Sequence, residues 1–78
     1  MKIKPRTYYK RYYLTNGYKI FYTGNKYVYY IADVYNNITR KNYKKHKWIE
    51  IAYWQETIDK SNEKLIELSK EDLFLELL

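Results

Sequence analysis

The chain has 78 residues, no cysteine, and a net charge of +6 from 15 Lys/Arg against nine Asp/Glu. This size allows one domain with a small core, and the missing cysteines exclude a disulfide framework and a thiolate metal site. No apolar run approaches ~18 residues, so no membrane-spanning helix and no membrane partner is expected.

Charge and tyrosine are both segregated. Residues 1–47 carry twelve Lys/Arg and one acid, Asp33, a net of +11, and residues 48–78 carry three Lys and eight acids, a net of −5. Eleven of the twelve tyrosines lie in the basic part. Each buried phenol needs a hydrogen-bond partner or water, so a core this small cannot take them all. The reading is one domain over 1–78, with a basic, tyrosine-rich β region at 1–56 and an acidic, mainly helical tail at 57–78.

The start, Met1-Lys2-Ile3-Lys4-Pro5-Arg6, is basic but has no apolar h-region after it. A cytoplasmic protein is expected. Lys, Tyr, Asn and Ile supply 38 of the 78 residues; their AT-rich codons point to the cytosol of an AT-rich bacterium or to a mobile element in it.

Residues 7–14 and 18–23 are aromatic-rich and flank Asn16-Gly17, a strong hairpin signal. A two-residue loop there pairs Tyr13 with Ile20, Tyr12 with Phe21 and Arg11 with Tyr22. A second turn at Gly24-Asn25 leads into 26–35 and, if equally short, sets Phe21 opposite Val28 and Ile20 opposite Tyr29. Alternation then sorts the strands onto two faces. One collects Tyr8, Tyr12, Leu14, Phe21, Val28, Tyr30, Ala32 and Val34, with Lys10 and Lys19 near its edges, and is the expected core. The other collects Tyr9, Arg11, Tyr13, Tyr18, Ile20, Tyr22, Tyr27, Tyr29 and Ile31 and is expected to be exposed. A bulge in the first strand would swap its assignments.

Asn36-Asn37 reads as a turn. Residues 40–47 hold five basic side chains and almost nothing to bury, so a loop or an exposed sheet edge is expected. Residues 47–55 alternate as a strand, with Ile49, Ile51 and Tyr53 inward and Trp48, Glu50, Ala52 and Trp54 outward; a short helix is the competitor. Residues 59–62 look like a polar break. Residues 64–68 fit either a helical turn or a short strand. Ser69 followed by Asp72 resembles a capping box, so Ser69 should start the last helix, with Leu65, Leu68, Leu73, Phe74 and Leu77 as a buried stripe. The fold class expected is α+β: a small antiparallel meander of about four strands with a C-terminal helical segment. A small SH3-like or OB-like barrel is the alternative.

Nothing announces a reaction. His46 is alone among lysines, where a cation would not settle. Ser61 and Ser69 sit where helix caps belong. Glu50, Glu56 and Asp59 could cluster, but most acids lie in a helical, solvated tail. Gly17 and Gly24 are turn glycines, not a phosphate loop. No catalytic residue, no metal site and no cofactor is expected. The signal that remains is a basic surface interleaved with aromatic rings, which suits a polyanion or a protein that handles one. Arg6, Lys10, Arg11, Lys19, Lys26, Arg40, Lys41, Lys44, Lys45 and Lys47 could track phosphates, and Tyr9, Tyr13, Tyr22, Tyr29 or Trp54 could stack on bases; of these, Arg11, Arg40, Lys41, Lys44, Lys45 and Lys47 are the candidate charge contacts, and Tyr9, Tyr13, Tyr22 and Tyr29 the candidate stacking rings.

In size, lone-domain build and lack of catalytic motifs, the chain resembles the small orphan proteins of phages and mobile elements, in particular anti-CRISPR proteins and other antagonists of host defence. The resemblance covers overall build and carries over no individual residue. It implies a host nucleoprotein, such as a CRISPR effector complex, as partner and steric blockade as mechanism. A basic chain would hold guide RNA or an acidic protein patch there. Two other functions fit the composition: direct binding of single-stranded RNA or DNA, and a homodimeric structural module that buries its surplus aromatics against a second copy.

Overall fold

Aromatic and β-branched residues dominate 8–35, and they form strands as the composition favours. The computed structural model describes residues 2–14, 17–35, 38–61 and 65–77, with 13–14 and 40–46 described by backbone alone. The elements in chain order are β1 (Tyr8–Leu14), β2 (Gly17–Thr23), β3 (Tyr27–Tyr35), β4 (Ile38–Glu50), α1 (Ile51–Ser61), β5 (Leu65–Leu68) and α2 (Lys70–Glu76). The strands form one antiparallel sheet ordered β4-β3-β2-β1-β5. It has five strands rather than four, and it is an open sheet rather than a barrel, with β4 and β5 as its edges.

Register explains the main departure from the expected faces. Tyr9 pairs with Phe21, Lys10 with Ile20 and Tyr12 with Tyr18, while Leu14 pairs with Gly17, so Tyr13 is bulged. Relative to the expected hairpin, β1 slides by three residues, an odd number, and its side chains exchange faces. Gly17 belongs to β2; the rest of the expected Asn16-Gly17 turn, and Asn36-Asn37, lie outside the described residues. A second irregularity leaves Ile31 unpaired between Tyr30 and Ala32, so Phe21↔Tyr30 and Ile20↔Ala32 fall on opposite faces.

The first face carries Tyr9, Phe21, Val28 and Leu65 under α1. In α1, Ile51, Trp54 and Ile58 recur at helical spacing and turn inward. Trp54 is fully buried and packs against Phe21 (ring centroids 5.1 Å apart), Tyr9 (6.0 Å) and Trp48 (6.2 Å). Trp48 stacks on Phe21 at 5.1 Å. The strand expected over 47–55 is therefore half right: β4 ends at Glu50 and the helix starts at Ile51. Trp54 is inward and Tyr53 outward, the reverse of the alternation. After α1 the chain returns to the sheet as β5, and the expected break at 59–62 overlaps the last turn of α1.

The second face carries Ile20, Ala32 and Leu68, with Tyr8, Tyr18, Ile31, Leu73 and Leu77 packed around them. The capping box forms: the Ser69 hydroxyl accepts from Asp72 N–H at 3.1 Å, and the Asp72 carboxylate accepts from Ser69 N–H at 3.3 Å. Residues 65–68 are a strand, and their spacing of three puts Leu65 and Leu68 on opposite faces, not in one stripe. Phe74 is 67% exposed and leaves the stripe altogether. Both faces of the sheet are thus covered in part, by α1 on one and α2 on the other.

The N-terminal segment is tied down through Thr23, which is fully buried. Its hydroxyl donates to Lys4 C=O at 2.7 Å and accepts from Thr7 N–H at 3.0 Å. Ile3 enters the first core while its N–H donates to Gln55 Oε1 at 2.6 Å.

Phe21 and Tyr12 were both expected in the core, but Tyr12 is 44% exposed. Thermal unfolding should separate them. Phe21→Ala should cost ~3–5 kcal/mol as a buried aromatic truncation, and Tyr12→Ala no more than about 1 kcal/mol as a change at a half-open site. Equal losses would contradict this assignment of the faces.

Candidate functional site

Alternation along β1, β2 and β3 builds a row of tyrosines across the second face. Tyr8 pairs with Tyr22, Tyr22 with Tyr29, and Tyr29 with Lys47 on β4. All three tyrosines are half-buried and Lys47 is exposed. The Tyr8 and Tyr22 rings touch, with centroids 4.7 Å apart. Tyr29 lies against the turn between β2 and β3. A Cβ on Gly24 would stand 3.1 Å from Tyr29 Cε2, so the missing side chain there makes room for the ring.

Cations gather at the β4 end of this row. The Lys47 ammonium sits 4.4 Å from the centroid of the Tyr27 ring and the Lys26 ammonium 5.6 Å from it. Both distances are within the range of cation–π attraction. Arg6 is exposed, and its N–H donates to Gly24 C=O at 3.3 Å, which holds its backbone beside the same turn. Its φ of 51° is unusual for a residue with a side chain.

The lysine run forms the outer edge. Ala32 pairs with Lys41 and Tyr30 with His46, so five steps along β4 match two along β3. The edge strand therefore bulges out by three extra residues in the stretch that contains Asn42, Tyr43, Lys44 and Lys45. Edge bulges of this kind re-aim a strand and block strand addition.

Deeper on the same face, α2 is pinned by a polar cluster. Lys10 Nζ lies 2.8 Å from Glu76 Oε1, and the Tyr18 hydroxyl donates to Glu76 Oε2. Lys10 also lies 4.7 Å from the Tyr18 ring centroid and 5.4 Å from that of Tyr12. Thr39 Oγ1 donates to Glu76 C=O at 3.2 Å. Burial works against the Glu76 charge, but the hydrogen bonds from Lys10 and Tyr18 and the Lys10 charge outweigh it and hold the carboxyl below the ordinary range. Burial likewise opposes the Lys10 charge, and its hydrogen bonds and attraction to Glu76 and Tyr12 prevail, raising it. Burial, the Glu76 hydrogen bond and nearby negative charge all push the Tyr18 phenol up.

The residues singled out in the sequence divide into three groups. Tyr22, Tyr29 and Lys47 come together in the row. Arg40, Lys41, Lys44 and Lys45 belong to β4, where their backbone is described, and the side chain of Tyr13 lies outside the description. Tyr9 and Arg11 are corrected: both are buried on the first face, Tyr9 completely, because the slide of β1 turned them inward. Tyr9 packs on Trp54, and its hydroxyl accepts from Lys4 N–H at 2.8 Å. The same slide delivers Tyr8, which was expected in the core, to the row. No sequence signal separated Tyr18 from its neighbours, and Lys10 stood only among ten basic side chains that could track phosphates. Their importance comes from Glu76, 58 and 66 residues away.

Among the described residues, no group of three His, Asp or Glu could hold a metal ion, and no helix is long and apolar enough to cross a membrane. Comparison with protein-family models, curated proteins and solved structures found no significant match.

The cluster sets a pH dependence. Glu76, with a depressed folded pKa, contributes stability above its ordinary value near ~4.3 and loses it as pH falls through the lower folded value. Lys10 and Tyr18, both raised, contribute below their ordinary values near ~10 and lose it as pH rises through the folded ones. The melting temperature of Glu76→Gln should trail the parent by a constant margin, of order 1 kcal/mol for one partly shielded pair, across neutral pH. The margin should close in acid below ~4. A margin that persists there would remove the ion pair as its cause.

Proposed function

We propose that this protein is a non-enzymatic binding module that takes single-stranded nucleic acid on the uncovered end of its tyrosine face. The observation that carries the reading is the cross-strand row Tyr8, Tyr22, Tyr29 and Lys47, which meets a bulged lysine-rich edge. Half-exposed rings offer faces for unpaired bases, at ~1–3 kcal/mol per stacked base, and the adjacent lysines supply charge for the phosphates. Duplex binding fits less well, because paired bases hide the surfaces that these rings would use.

A second reading gives this binding a biological setting. In build the chain resembles phage-borne antagonists of host defence. A protein of that kind would use the same surface to occupy the RNA or DNA of a host nucleic-acid machine, such as a CRISPR effector complex, and block it sterically. Co-purification with a tagged effector tests this reading. Recovery of the protein alone from cells that contain the intact effector removes it.

The primary reading is tested with short fluorescent oligonucleotides at several salt concentrations. Log affinity should fall with log salt at about −0.7 per phosphate contacted. Replacing Tyr22 or Tyr29 by Leu, which keeps bulk but removes the ring, should weaken binding by ~1–3 kcal/mol without changing that slope. Replacing Lys41, Lys44, Lys45 and Lys47 together by Ser should flatten the slope and leave stability within about 1 kcal/mol, as surface changes usually do. No binding at low salt, or a flat salt response in the parent protein, rejects the proposal.

A further inference from the structure

The Lys10 cluster lies on the same face as the tyrosine row and directly beside it. Lys10 pairs with Ile20 and Tyr8 with Tyr22, so the two rows are two residues apart along the strands, about 7 Å. Among the described residues, the sheet presents the Lys10 ammonium and the Tyr18 hydroxyl to the carboxylate of Glu76 at this point. The two rings flanking Lys10 add a sheltered wall. A cation and a hydroxyl converging on one oxyanion also suit a phosphate, whose oxygens accept charge-assisted hydrogen bonds in the same way.

The group that fills this place is loosely held. No residue of α2 is buried; Leu73 and Leu77 are half-buried, while Phe74 and Leu75 face outward. A seven-residue helix does not persist in water by itself. Among the described residues, what keeps it on the sheet is two leucines, the Glu76 cluster and the bond from Thr39. The pair itself is mostly shielded, so its exchange for another anion depends on the weak hold of so short a helix.

We infer that Lys10 and Tyr18 form a phosphate site for the strand that lies on the tyrosine row, and that α2 competes for it by inserting Glu76. The inference rests on the proposed function and adds a regulator to it. Release of α2 frees Lys10 for the ligand's phosphate and uncovers Tyr18, Ile20 and Ala32, which extends the aromatic platform beyond Tyr8, Tyr22 and Tyr29. The acidic helix thus acts as an internal mimic of the polyanion.

Two ligands separate this inference from the reading beneath it: a short oligo-dT, which has bases, and inorganic tripolyphosphate, which has none. Glu76→Gln should bind both about tenfold more tightly than the parent, a coupling of ordinary size. Adding Lys10→Gln to that variant should abolish the gain for both. In the unmutated protein, amide exchange over residues 70–77 should quicken when oligo-dT binds. If oligo-dT binds but Glu76→Gln gains nothing, or if the 70–77 amides stay protected in the complex, the competing helix is overturned while the tyrosine platform stands. If only tripolyphosphate binds, with the gain and its dependence on Lys10 intact, the anion site stands and the nucleic-acid reading fails. If neither ligand binds any variant, both fail.

Discussion

The buried contact of Trp54 with Phe21 and Tyr9 is the one on which the rest of the structure depends. A chain of this length without disulfides must bury large side chains or fail to hold a core. Trp54 brings α1 onto the first face, Phe21 and Tyr9 tie it to the centre of the sheet, and Trp48 stacks on Phe21 from β4. Rings of this size each remove ~150–250 Å² from water. Three of them on one face carry much of the cohesion that a larger protein would spread over many aliphatic residues. Trp54 Nε1 has no partner among the described residues, so the packing is retained despite a buried donor that costs free energy.

Once the first face is committed to Trp54, with Tyr30 beside Phe21, the second takes five of the other tyrosines. Tyr8, Tyr12, Tyr18, Tyr22 and Tyr29 all fall there, and α2 is too short to cover them. Phenols tolerate this position, since a ring can pack against the sheet while its hydroxyl meets water. The surplus of tyrosine in the composition therefore has a definite location in the fold: the part of the second face between α2 and the β2–β3 turn. Lys26 and Lys47 border that area, one from the turn and one from β4.

Much of this was legible from local signals. The strand-rich first half, the edge character of 40–47 and the capping box at Ser69 and Asp72 each depend on residues close together in sequence. The pairing of sides did not, because face assignment depends on parity. One bulged residue at Tyr13 and one at Ile31 were enough to move Tyr9 and Arg11 inward, Tyr8 outward to the row, and Ala32 and Val34 across the sheet. Neither residue has a side chain that demands a bulge. The strand-to-helix switch at Ile51 was ambiguous for a related reason: Ile49, Ile51 and Tyr53 satisfy a period of two, while Ile51, Trp54 and Ile58 satisfy a helical one. The second pattern wins because it buries a tryptophan, whereas the first would bury Tyr53 and expose Trp54.

The charge segregation along the chain becomes a layered arrangement in space. The basic half forms the sheet and the acidic half supplies both helices and the strand β5 that borders β1. Lys4 with Glu67 and Lys10 with Glu76 are cross-links between the halves, one largely exposed and one mostly shielded. The exposed pair contributes little. The shielded pair matters more because it coincides with two tyrosines and with the last turn of a helix that has few other holds. An acidic segment folded over a basic aromatic face satisfies the chain's own charge where it docks and leaves the opposite end of that face, beside Lys26 and Lys47, unneutralised by it. The asymmetry follows from length: α2 reaches from β5 to Thr39 near the start of β4, and stops there. The ammonium groups of Lys26 and Lys47 thereby gather at Tyr27 and Tyr29, at the end of the face away from the Glu76 cluster.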